Sequence, residues 1–395
     1  MIGEEAGTAV ALLRLPGAIR ERCHNVLEAG LAGRLDHFGV ALSRLPAAAE
    51  FVADVTRRRY PSLDIPCHSR WRHLDAGGVR RGDAFRAAIS ALPADERARA
   101  KIDLIVTSVL LDAGAGDAWR FREVQTGQTF TRSEGLAVAS FRMFEAGLFS
   151  SEPSDPWRAD ARALAALDEG RLATGLQVSA DNPLIGLGGR LGLLQALGRT
   201  LKGARVGDLF DVLRARASHG QLEAQSILEQ VLVTLAGIWP RRLGDTWPHP
   251  AAGGHGPSAG LVPLHKLSQW LTYSLVEPLE EAGLAVAGLD RLTGLAEYRN
   301  GGLFIDLAVV VPRHPDVCAI THPPESEVVV EWRALTVALL DRLAPLVAEC
   351  LGLRPAQLPL IRLLEGGTWA AGRELAAARR AGAPPIRVAT DGTVF

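Results

Sequence analysis

Apolar residues recur along this chain mainly at intervals of three and four, the spacing that gathers them on one face of an α-helix. The segment "PGAIRERCHNVLEAGLAG" (16–33) opens on a proline suited to a first helical turn and ends at a glycine. "DPWRADARALAALDEGRL" (155–172) reads as a helix with Asp155 as N-cap and Pro156 in its first turn. "VGDLFDVLRARA", "GQLEAQSILEQVLVTLAGIW" and "EVVVEWRALTVALLDRLAPLVAECLG" carry the same period. The last is apolar almost all round, which predicts a central, buried helix. β-Branched runs beside turn residues mark only two strand segments, 302–312 and 384–395. The expected fold class is therefore mostly α, a multi-helix assembly with short peripheral β pairs. There is no internal repeat and no linker composition. Residues 1–395 read as one domain, with lobes 1–150, 151–250 and 251–395 as its subdivisions.

Composition narrows the functional classes. Residues are 48% hydrophobic and 22% charged, and the formal net charge is −1, with both signs mixed along the chain. That is a globular composition without the basic stripe of a nucleic-acid binder. The longest uncharged apolar run falls short of the ~18 residues a membrane span needs. The first residues carry two Glu and no basic segment, so no signal peptide is expected. Cys23, Cys67, Cys318 and Cys350 show no paired spacing, so a cytoplasmic protein with reduced thiols is expected. Among the basic residues only Lys101, Lys202 and Lys266 are Lys, so Lys is a departure from local habit. Tyr and Asn are equally scarce.

Familiar motifs are incomplete. "GLGGRLG" (186–192) and "DAGAGDAW" (112–119) lack the full dinucleotide-loop pattern after a strand. There is no serine nucleophile elbow and no H-E-x-x-H, and the His residues are dispersed. No metal site and no organic cofactor are expected.

Five stretches remain. "YPSLDIPCHSRWRH" (60–73) places His68, Arg70, Arg72 and His73 around Trp71; if extended, His68, Arg70 and Arg72 share one side and suit an anion. In "LVPLHKLSQWLTYSLVEPL" (261–279), His265, Gln269 and Tyr273 form one helical row and Lys266 and Trp270 another. In "LDRLTGLAEYRNGGLFID" (289–306) the Gly301–Gly302 pair suggests a sharp turn, with Glu297 to Arg299 ending a helix. "LEGGTWAAGR" (364–373) sets Glu365 before a Gly pair, then Thr368, Trp369 and Arg373 at an apparent helix start. Asp103 and Asp112 bracket an apolar helix, the second at the C-terminal end, where a carboxylate needs a partner.

These runs, with "SVLLDAGAG", "RSEGLAVASF" and "EVVVEWRALTV", resemble the uracil catabolism protein 4 family over nearly the whole chain. That resemblance implies a step in pyrimidine breakdown through a ribosylurea-type intermediate. It also implies association with other enzymes of uracil catabolism. "LTGLAEYRNGG" is similar to the "DYR" segment of queuosine-salvage nucleoside hydrolases, whose fold is related to helix-hairpin-helix DNA glycosylases; Glu297 stands where that motif has Asp.

The reaction expected is hydrolysis of an N-ribosyl bond in a small nucleoside- or nucleotide-derived substrate, with no nucleic-acid or membrane partner. Such chemistry needs a carboxylate, help for a poor nitrogen leaving group and an anchor for any phosphate. Glu297, Asp306 and Asp245 are the candidate catalytic carboxylates. Tyr298, Asn300 and Gln269 are candidates for the urea or base edge, and Arg70, Arg72, His68, Lys266 and Arg373 for phosphate. His265, Tyr273, Glu365 and Trp369 complete the binding candidates. His68, Arg70, Arg72 and Lys266 are expected to converge, and Arg299 to pair with an acid such as Glu331. Another hydrolase or lyase acting on the opened ring, and a non-catalytic partner of the ring-opening enzyme, are the alternative readings. A carboxylate converging with the basic residues on one site favours an enzyme.

Overall fold

A computed structural model describes residues 2–201, 204–239 and 243–393, with side chains from residue 7 onward. Lys202 and the last two residues of the C-terminal strand segment lie outside the described residues. The chain divides into two compact units that interleave in sequence. The first unit comprises Met1–His68, Asp245–Gln269 and Gly288–Ala389. The second comprises Ser69–Gly244, Trp270–Ala287 and Thr390–Phe395. Both are mostly helical, as the apolar spacing predicts; among the described residues every sheet is two-stranded.

In the first unit the helix Glu327–Cys350 is the axis of packing. Every residue from Val328 to Leu340 is buried, so an all-round apolar surface has found partners on all sides. Its largest contacts are with the helices Pro16–Leu31 and Leu45–Arg59. The helix Tyr298–Asp306 packs on it and on the helix Trp369–Arg380. The segment expected as strand over 302–312 is divided: 302–306 belong to the helix, and only Val310–Pro312 is strand, antiparallel to Phe38–Val40. The β-branched run begins too late to hold the whole segment extended. Among the described residues of the C-terminal segment, Arg387–Val388 forms a strand, parallel to Thr321–His322.

In the second unit the buried helix Ala94–Leu110 packs beside Arg132–Glu145. Asp103 on it receives Arg205 and the Gly207 N–H; burial pushes its pKa up to about 7 against that pairing. Between 155 and 172, Asp155 does not act as the cap. Asp160 and Asp168 instead accept the backbone N–H of Ala163 and Arg171, starting two short helices, Ala161–Ala165 and Glu169–Gly175. Both Asp residues stand three positions before the amide they bond, the reach an N-cap requires.

Candidate functional site

The site starts from Glu297, which is the N-cap of the helix Tyr298–Asp306. Its backbone is extended, at φ −120° and ψ 161°, and its carboxylate accepts N–H of Arg299 at 2.7 Å and of Asn300 at 2.6 Å. These are helix-terminal amides with no intrahelical acceptor, so one side chain satisfies two of them. The sequence suggests a turn closing a helix here; the structure shows a helix opening, because the capping carboxylate outweighs the Gly pair as a local signal. Glu297 is buried, and burial raises its pKa despite the two amides and the positive charges of Lys266 and Arg299. A carboxyl fixed by two amides, with its pKa raised by burial, suits acid–base work.

Its neighbours have distinct reasons for their places. A Cβ on Gly301 would lie 2.6 Å from Trp332 Nε1 and 2.8 Å from Thr336 Oγ1. The glycine therefore admits the axial helix, where the sequence suggested a sharp turn. Arg299 donates to the Gly382 carbonyl at 3.0 Å and lies 4.7 Å from the Tyr298 ring centroid. It does not pair with Glu331, which accepts the Phe38 N–H at 2.9 Å. Asn300 is fully buried and donates to the Leu295 carbonyl at 3.3 Å, while its Oδ1 meets no donor among the described residues.

Asp245 is held from three sides. It takes both terminal nitrogens of Arg333 at 2.7 Å, Trp247 Nε1 at 2.7 Å and the Lys266 backbone N–H at 2.9 Å. Burial alone would raise its pKa; the Arg333 charge and these hydrogen bonds outweigh it and bring it to about 2. Arg333 Nε also donates to the Ala296 carbonyl at 3.1 Å, so the ion pair fixes the residue directly before Glu297. Asp306 lies at the far end of the same short helix, gripped by both terminal nitrogens of Arg380 at 2.7 Å. His265 precedes the helix Lys266–Glu281 at φ 43°, and burial depresses its pKa, leaving a neutral ring 3.0 Å from the Leu13 carbonyl. Gln269 accepts Thr293 Oγ1 at 2.8 Å and donates to the Leu264 carbonyl at 3.2 Å.

A second buried carboxylate, Glu365, lies in a π-helical turn, Leu364–Thr368, that joins the helices Leu360–Leu363 and Trp369–Arg380. This run continues a helix where the sequence suggested an N-terminus, so its amides do not form an anion cradle. Glu365 accepts Tyr60 Oη at 2.9 Å, lies 2.8 Å from His68 Nδ1 and 3.4 Å from Arg59. Trp369 lies 6.1 Å from the His68 ring, with Arg373 4.7 Å from its centroid on the exposed side. The π turn packs against both Leu45–Arg59 and Tyr298–Asp306. A π turn is a frequent mark of a functional site. Tyr60, Arg333 and Thr293 were not singled out by sequence; the scarcity of Tyr was the one signal available for Tyr60.

In the second unit Arg70 and Arg72 belong to the short helix Arg70–Leu74, so the expected extended fork does not form. Residues two apart on a helix point nearly opposite ways. Arg70 is fully buried, 2.9 Å from Asp112, and donates to Ser108 Oγ at 2.8 Å and Ser133 Oγ at 3.1 Å. Burial lowers its pKa and Asp112 opposes that. Asp112 thus has the partner its helix-terminal position required. Ser133 Oγ lies 2.6 Å from Asp112 and 3.0 Å from His73 Nδ1. Arg72 pairs with Glu277 at 2.7 Å, and Tyr273 is fully buried.

Comparison with known proteins places this chain among relatives of its own length. It is 38% identical to Protein urg3 of Schizosaccharomyces pombe over 98% of this chain and 99% of that protein. It is 36% identical to Uracil catabolism protein 4 of Lachancea kluyveri over 92% and 93% of the two chains. Residues 12–395 match the family model described as a protein of unknown function, DUF1688. The chain belongs to the DUF1688 family.

Proposed function

We propose that this protein acts in uracil catabolism and hydrolyses the N-ribosyl bond of an opened-pyrimidine intermediate, ribosylurea or its phosphate. The likeness to Uracil catabolism protein 4 of Lachancea kluyveri supports the pathway. The observation that carries the reaction is Glu297, a buried carboxyl of raised pKa held rigid by two helix-terminal amides. Breaking the C1′–N bond expels a poor nitrogen leaving group, and a fixed carboxyl of raised pKa assists by giving that nitrogen its proton. Water adds its oxygen to C1′ and gives up a proton that restores the Glu297 carboxyl, so one water is consumed and no net proton is gained or lost. Lys266, near enough to act electrostatically on Glu297, is the anchor for an anionic group, with Tyr298 and Asn300 toward the urea edge. Asp245 and Asp306 serve as positioning groups, because each is fully engaged by an arginine.

The test is incubation of the purified chain with ribosylurea and with its 5′-phosphate, reading released urea. Lys266→Met should raise KM for the phosphate at least about tenfold more than for ribosylurea. Equal changes for the two substrates would remove the anchor role.

A further inference from the structure

We propose that His249, Glu327 and Glu331 form a binding site for one divalent transition-metal ion in the first unit. One ligand atom from each of the three lies within 4.8 Å of the others. Glu327 and Glu331 are four apart in the first turns of the helix Glu327–Cys350 and so share a face. His249 comes from a loop whose backbone is tied at both ends, His249 N–H to Gly260 O at 2.8 Å and Gly260 N–H to Gly253 O at 2.8 Å.

Burial makes this more than an acidic cluster. His249 and Glu331 are 1% and 0% exposed at their side chains. His249 Nε2 and Glu331 Oε2 are both buried without a hydrogen-bond partner, and they face one another at 3.5 Å. That is long for a hydrogen bond, yet two ligands each about 2.1 Å from a tetrahedral ion stand roughly 3.4 Å apart. Among the described residues no Lys or Arg nitrogen comes within ion-pair distance of Glu331, whose other oxygen accepts the Phe38 N–H at 2.9 Å. That bond aims Oε2 at the histidine, as outer-shell partners of metal ligands do. A buried carboxylate with one neutral donor needs a cation. Half-buried Glu327 provides the third ligand and the route from solvent.

Binding through Nε2 requires the ring proton on Nδ1, so the 3.1 Å bond that Nδ1 accepts from the Ala251 N–H is given up. One neutral contact is exchanged for three metal–ligand bonds. One nitrogen and two carboxylates suit zinc, cobalt or manganese, with water in the remaining positions. Glu331 and Arg333 are two residues apart on the helix, so their side chains leave it in different directions. The site's role is to clasp the His249 loop, the axial helix and the Phe38 strand together.

Full-length protein stripped with EDTA should be titrated with Zn²⁺ against a chromophoric chelator, and with Co²⁺ by visible absorption. The expected result is about one ion per chain, cobalt bands of a site containing nitrogen and oxygen, and a higher melting temperature with metal. Glu331→Gln should weaken binding by roughly 100-fold or more, and Glu327→Gln by about tenfold. Glu327→Gln serves the same purpose if Glu331→Gln does not fold. Failure of the wild type to bind Zn²⁺ or Co²⁺, or binding unchanged in Glu327→Gln, would overturn the site. Neither result depends on urea release.

Discussion

Removing Arg333 would leave the Asp245 carboxylate buried with Trp247 Nε1 and one backbone amide as its donors among the described residues. Breaking such a pair costs about 3–5 kcal/mol, because an uncompensated charge stays in the interior. Arg333→Met should therefore show a loss of that size in denaturant melts, and Asp245→Asn a loss of similar sign. Replacing both should recover part of it, so a double-mutant cycle with no coupling would refute the pairing. Neither residue's role was legible in sequence. The partners are 88 positions apart, and nothing local to either reveals the other. The same holds for Tyr60 and Glu365, separated by 305 positions. Tyr298 and Asn300 stood out because Tyr and Asn are scarce in this chain, and Glu297 because it stands beside them. Their local role was misread, since a cap and a turn share the same residue types.

The short helix Tyr298–Asp306 is the element on which the account rests. Gly301 lies inside it, where alanine would ordinarily gain about 0.8–1.0 kcal/mol in helix propensity. The approach of Trp332 and Thr336 to its Cβ position predicts the reverse sign. Gly301→Ala should lose about 1–3 kcal/mol through overpacking, measurable by thermal melts. A stabilised variant would show that the axial helix does not press on this position. Helix content and the buried axial helix were legible, because the apolar period is a property of each segment alone. Boundaries at 155–172 and 302–312 were not: in the first, Asp155, Asp160 and Asp168 all compete as caps, and in the second the helix capped by Glu297 runs on to Asp306 before the β-branched run begins. The π turn at Leu364–Thr368 was hidden because its glycines admit Val52 and Thr56 of another helix.

Across the molecule, acid should act through a few deeply paired carboxylates. Asp245 in the first unit and Glu123 in the second both have folded pKa values of about 2. At Glu123 burial works upward and is outweighed by bonds from Arg81, Thr126 and Arg142. A depressed folded pKa stabilises above the unfolded value, near 4, and that stability is lost as pH falls toward 2. Denaturant melts should thus show these contributions intact from pH 7 to 5 and declining below about 4, less steeply in Asp245→Asn. Glu297 has the opposite sign: its raised pKa makes its ionised form costly, and protonation on acidification relieves that cost. No described helix is long and apolar enough to cross a membrane. The interleaving of the two units was not legible, because the chain passes between them without any change of composition.

Urea release by Glu297 variants, measured beside their melting temperatures, separates a chemical role for this carboxyl from a purely structural one. Ser caps helices well, so Glu297→Ser should keep the helix start and melt within a few degrees of wild type. It lacks the carboxylate, so turnover on ribosylurea or its phosphate should fall by roughly two to four powers of ten. Wild-type protein that releases no urea from either compound, or a folded Glu297→Ser protein that releases it at the wild-type rate, would contradict the account.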